Sequence, residues 1–108
     1  MPVSQPQIHS LLLADDPDML ELVGEFVDGL RQRVADMRAA LDACNWDRLK
    51  ALGHQLKGAG GSFGYPMISE VGMQVETATR EHQTQVAQGL IDQLEQISAS
   101  AKAGLPRS

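Results

Sequence analysis

The stretch His54-Gln55-Leu56-Lys57-Gly58-Ala59-Gly60-Gly61-Ser62-Phe63-Gly64 sets an imidazole and a lysine one turn apart in a helical pattern that also holds four glycines. Neutral imidazole is a nucleophile at physiological pH. A transferred phosphoryl group needs positive charge near its oxygens and room for in-line approach. Lys57 is placed to supply the charge-assisted contact. Each glycine in a helix interior costs about 1 kcal/mol relative to alanine, so Gly58, Gly60 and Gly61 together cost roughly 3 kcal/mol. That is a large share of a typical domain stability of about 5–15 kcal/mol. A local rule broken so heavily beside a histidine marks a working site.

At about 100° per residue, Leu49, Leu52, Leu56, Ala59 and Phe63 fall roughly 140–220° from His54 and form the core face. His54 therefore points away from the core. Gly58 and Gly61 fall within about 40° of it, one and two turns on, and strip side chains from the surface a partner must cross. Lys57 at i+3 and Lys50 at i−4 flank the imidazole with positive charge. Gly53 and Gly60 lie toward the edges of the core face, where close approach of a neighbouring helix explains them better. A lone exposed histidine is most often only solvated; the glycines on its own face argue against that here.

His54-x-Leu56-Lys57-Gly58, followed by a small-residue run to Gly64, resembles the signature of histidine-containing phosphotransfer (HPt) domains. An acidic residue before a long amphipathic helix, a short Asn45-Trp46-Asp47 turn and Glu76 one helix later are similar to the same family, over residues 15–102. The resemblance implies an all-α, antiparallel up-down four-helix bundle with His54 as the phosphorylated residue. It implies a phosphorelay carrier, not an enzyme, that exchanges its phosphoryl group with receiver-domain aspartates. The implied partners are a response-regulator receiver domain and a hybrid sensor histidine kinase. The carrier itself then needs no cofactor, because the receiver brings magnesium and most of the catalytic apparatus. The family places a glutamate or glutamine at Glu76 against the imidazole, where it would fix the tautomer and leave the other nitrogen free. Without the resemblance, Glu76 reads as an ordinary solvated glutamate about 100° from its helix's inward stripe. This chain departs from the family in being richer in glycine at Gly60-Gly61, and in closing the helix with Gly64-Tyr65-Pro66.

At 108 residues the chain is one domain with a single core. One Trp, one Tyr and two Phe among abundant Leu, Ala, Val and Met give the composition of a helical bundle. A net charge of −5 without a basic cluster argues against nucleic acid or an anionic membrane as partner. The longest apolar run, Leu11 to Ala14, is too short to span a bilayer or act as a secretory signal. Cys44 is single, which excludes an internal disulfide and fits a reducing, cytoplasmic compartment. Its place on an apolar stripe predicts a packed thiol.

The elements that must position the site follow from periodicity. Residues 1–7 read as a disordered start. Ile8 to Leu13 is expected to form a short helix over the bundle end. Asp16-Pro17 signals a helix start, with Asp18 and Glu21 in the first turn. Leu20, Val23, Val27, Leu30, Val34, Met37, Leu41 and Cys44 then form a seam about seven turns long. A coiled-coil dimer is weakened as a reading because the other helices also carry stripes needing burial, so a monomer is expected. Asn45 caps the helix bearing His54. A third helix is predicted over 67–80, with Ile68, Val71, Val75 and Ala78 inward. The last is predicted over 84–102, with Val86, Leu90, Ile91, Leu94, Ile97 and Ala101 inward. The bundle thus spans 8–102, with 103–108 as a frayed tail, and short connections make sequential helices antiparallel neighbours. The start at Met1 and that tail favour a free-standing protein.

Met19, Leu22 and Phe26 lie beside the main seam; they pack the short first helix or form an apolar docking patch for a receiver domain. His9 and His82 have no metal spacing and read as solvated. Three other classes fit less well. A kinase dimerisation helix would resemble His-Glu-x-x-x-Pro and need an ATP domain. A metal-bridged bundle would need paired Glu-x-x-His motifs, whereas Ala51 and Thr79 stand three residues before His54 and His82. An interaction module that has lost transfer would not need His54, Lys57 and Gly58 intact.

Overall fold

Alternating three- and four-residue spacing of apolar side chains builds long helices that bury one stripe each, and this chain makes four of them. The computed structural model describes residues 7–106. Its elements are α1 (Leu11–Asp15), a 3-10 turn (Pro17–Met19), α2 (Leu20–Asp42), α3 (Trp46–Ser62), α4 (Pro66–Arg80) and α5 (Thr84–Ala103). The architecture is an antiparallel up-down four-helix bundle with a short N-terminal helix, in which α2 packs on α3 and α5, and α4 on α3 and α5. Val23, Leu30, Leu49, Leu56, Val75, Ile91 and Leu94 have no exposed surface at the centre of the core. Each large aliphatic side chain so buried stabilises the bundle by about 1.5–3 kcal/mol.

The three connections between the long helices share one geometry. Asn45, Tyr65 and Gln83 each send a backbone N–H five residues back, to Ala40, Gly60 and Ala78, at 2.8, 2.8 and 3.1 Å. The residue before each is left-handed: Cys44 at φ 52°, Gly64 at 84° and His82 at 51°. Asn45 also caps α3, its Oδ1 accepting from the Arg48 N–H at 3.1 Å. At the bundle end shared by the first and third turns, His82 stacks on Trp46 with ring centroids 4.7 Å apart and planes within 3°. His82 is thus an exposed but packed residue, where solvation alone was expected.

Cys44 departs from the sequence reading. It is exposed, not packed, because α2 ends at Asp42 and the turn carries the last member of the seam out of the core. Val86 is also outward, 49% exposed, and Ala87 is buried in its stead. The N-terminal helix starts at Leu11, not Ile8, because Ser10 caps it: the Ser10 Oγ accepts from Leu13 N–H at 3.3 Å and donates to the Phe63 carbonyl at 2.6 Å. Ile8 lies outside the helix, its N–H bonded to the Ser100 carbonyl at 3.0 Å. The frayed tail expected from residue 103 differs too: Ala103 closes α5, Gly104 lies against the Ile8 backbone and Leu105 packs on the core. Of the expected disordered start, residues 1–6 lie outside the described residues, as do 107 and 108. Beside the seam, Phe26 is buried and stacks on Phe63 at 4.8 Å, Met19 packs partly buried against the core, and Leu22 is 48% exposed.

Candidate functional site

The site is made by the way α3 and α4 approach. A Cβ added at Gly53 would stand 2.9 Å from the Gly72 carbonyl oxygen, and one at Gly60 would stand 2.6 Å from the Ser69 backbone nitrogen. At Gly72 it would stand 2.5 Å from the Lys57 backbone nitrogen. Real side chains do not tolerate such distances, so these glycines let the two backbones touch. Gly53 and Gly60 thus act as their wheel positions predicted. The role of Gly72 depends on the register of α4 against α3, which the pattern of a single helix does not reveal.

That close approach brings Glu76 to His54. The His54 Nδ1 lies 3.4 Å from Glu76 Oε2, with the imidazole 70% exposed and the carboxylate 17% exposed. Glu76 is therefore a largely buried acid facing an open ring. With a proton on Nδ1 facing that carboxylate, the ring would leave its other nitrogen unprotonated and open to solvent. Gly58 has nothing within 4 Å of where a side chain would begin, and Gly61 has only the Ser69 Oγ, at 3.9 Å. Lys57 is exposed, with no ion pair among the described residues. The structure thus brings His54 and Glu76 together, sets Lys57 one turn along the same helix, and leaves the surface at Gly58 and Gly61 bare.

A family model, Hpt domain, matches residues 21–103. The chain belongs to the Hpt domain family. The match runs from the first turn of α2 to the end of α5 and leaves α1 outside it. An Hpt domain has a phosphotransfer role in two-component signal transduction, as a phosphocarrier that works with receiver and kinase proteins. No curated protein and no solved structure matches this Hpt domain. Among its described residues no helix is long and apolar enough to cross a membrane.

Sequence reasoning did not find the groove at the far end of this face. Leu11, Leu12, Asp15, Gly61, Ser62, Gly64 and Pro66 line an open depression of about 360 Å³. Leu11 stands at its rim, 61% exposed. The Leu11 N–H bonds to the Gly64 carbonyl at 2.8 Å, which ties α1 to the turn after α3. Gly64 has no room for a side chain, because Leu11, Leu12 and Ser10 crowd it.

Proposed function

We propose that His54 is the phosphorylated residue and that it exchanges its phosphoryl group with an aspartate of a receiver domain. The observation that carries this is the His54–Glu76 contact at 3.4 Å beneath a ring that is 70% exposed. When the free nitrogen attacks an aspartyl phosphate, the N–P bond forms and the bond from phosphorus to the aspartate oxygen breaks. The imidazole becomes cationic, and the Glu76 carboxylate lies beside the charge just created, so it favours the product in a way it does not favour the neutral ring. Return of the phosphoryl group reverses each bond change.

Lys57 meets the negative charge on the phosphoryl oxygens, while Gly58 and Gly61 leave the line of approach clear. The groove at Leu11 and Gly61 continues that face and gives the receiver an apolar foothold beyond the reacting atoms. Magnesium belongs to the receiver's site. The carrier acts in the cytoplasm, as a monomer, between a hybrid sensor kinase and a response regulator.

The test is phosphorylation by a receiver or kinase domain, followed by the stability of the label. Wild-type protein should take up acid-labile, base-stable phosphate, and His54→Gln should take up none while keeping its helical circular dichroism. Label that persists in His54→Gln, or disappears in His9→Gln or His82→Gln, would assign the chemistry to another residue.

A further inference from the structure

We propose that Lys50 and Arg80 form a cationic doublet that receives the acidic rim of the receiver domain and sets the rate at which it docks on His54. This rests on the phosphocarrier reading and adds the surface by which the partner is steered.

The register between α3 and α4 is pinned at two levels: the Trp46–His82 stack at 4.7 Å and the His54–Glu76 contact at 3.4 Å. Lys50 lies one turn before His54, and Arg80 one turn after Glu76. Because the helices are antiparallel, both displacements run the same way along the seam, about 6 Å each. Lys50 keeps within about 40° of His54 and Arg80 within about 40° of Glu76, so both stand on the outer face that carries the imidazole. The two cations therefore sit at one level, on opposite banks of the seam, between the stack and the reactive ring.

Both are exposed, and neither has an ion pair among the described residues. Local partners exist for each. Asp47 precedes Lys50 by three, and Glu76 precedes Arg80 by four, the spacing and order that favour a helical ion pair. Glu76 is turned to His54 instead, which leaves Arg80 unspent. On the opposite side of the bundle cations are used internally: Arg38 meets Asp92 at 2.9 Å and Glu95 at 3.1 Å, and Lys102 meets Asp28 at 4.0 Å. Lys57 stands on the other side of His54, so positive charge brackets the ring along the seam.

The partner's chemistry matches. Its acceptor is a carboxylate, and a magnesium site must be built from further oxygen ligands, chiefly carboxylates. An acidic face of that kind is attracted to the doublet and repelled by most of a chain of net charge −5. Rim charges of this sort act on association more than on the chemical step.

The experiment uses the full chain, the receiver domain that accepts its phosphoryl group fastest, and the double variant Lys50→Glu/Arg80→Glu. Phosphoramidate labels His54 without any docking, the N–P bond forming as ammonia leaves, and it should label wild type and variant alike. The second-order rate of transfer to the receiver should fall about tenfold at low ionic strength and less than about threefold near 0.5 M salt. The maximal rate at saturating receiver should stay unchanged, and Lys50→Arg should behave as wild type. A variant that takes label from phosphoramidate yet transfers with wild-type rate and salt dependence overturns the doublet and leaves the phosphocarrier reading standing. A variant whose loss lies in the maximal rate also overturns it, since these residues would then act on the reaction.

Discussion

The seam between α3 and α4 and the seam between α2 and α5 solve the same packing problem in opposite ways. In the first, Gly53, Gly60 and Gly72 remove side chains until backbone meets backbone. In the second, side chains hold the helices apart, with Arg38 bridging to Asp92 and Glu95 over a groove of about 590 Å³ lined partly by Val34, Ala35 and Ala99. The difference has a functional sense. A carboxylate reaches an exposed imidazole on the next helix only where the two axes come close, and glycine is what lets them. The α2–α5 seam aligns no such imidazole–carboxylate pair among the described residues, so ordinary side-chain packing with exposed ion pairs suffices.

Breaking the glycine seam should have the largest effect. Gly72→Ala forces a Cβ to within 2.5 Å of a backbone nitrogen, which no rotamer relieves. Stability should fall by about 3 kcal/mol in denaturant titration, at the upper end of overpacking costs, and transfer should fall with it as Glu76 is pushed from His54. Gly58→Ala, on the same face but in open space, should instead raise stability by up to about 1 kcal/mol. Equal effects at the two glycines would remove the distinction between packing glycines and access glycines.

Gly58→Leu sharpens the same point through activity. Leucine favours the helix, so the bundle should unfold at a higher denaturant concentration, yet transfer to a receiver should slow about a hundredfold because the approach to His54 is filled. A stable variant with normal transfer would show that no partner crosses this surface.

Glu76 offers a smaller, graded change. Glu76→Gln keeps an acceptor oxygen near Nδ1 but loses the charge; Glu76→Ala loses both. Transfer should fall about threefold in the first and about tenfold in the second. Nitrogen-15 spectra of the imidazole should show the Nδ1–H tautomer losing population in the same order. Identical tautomer populations in all three proteins would make Glu76 a bystander. The smallest effect is expected across the bundle: Arg38→Ala breaks an exposed ion pair and should cost less than about 1 kcal/mol, with transfer untouched.

Much of this was legible in the chain because helical periodicity is a local property. The stripe from Val23 to Leu41 and the stripe containing Ile68, Val71 and Val75 are each complete within one helix, and both are buried as read. The division of the α3 glycines into two sets also needed only the wheel of α3. What escaped depends on where a helix stops or on what lies opposite. Cys44 continues the seam in number but not in space, since the chain has already entered a left-handed turn. Val86 falls on a plausible inward position at the start of α5, where Ala87 is the residue that meets the core. Gly72 and the α1 clasp rest on backbone approach between elements distant in the chain, and backbone contacts leave no hydrophobic pattern to read.

That clasp has a topological consequence. With the Ile8 N–H on the Ser100 carbonyl at 3.0 Å and the His9 Nδ1 3.1 Å from the Gly104 carbonyl oxygen, the end of α5 lies beside the segment that leads into α1. The bundle is in effect a ring of helices with one gap. A short linker across that gap, with new ends opened at the exposed Cys44 turn, would give a circularly permuted protein in which α3 leads the chain. Because the α3–α4 seam lies wholly within one arc of the ring, His54 and Glu76 would meet in the permuted chain as they do here.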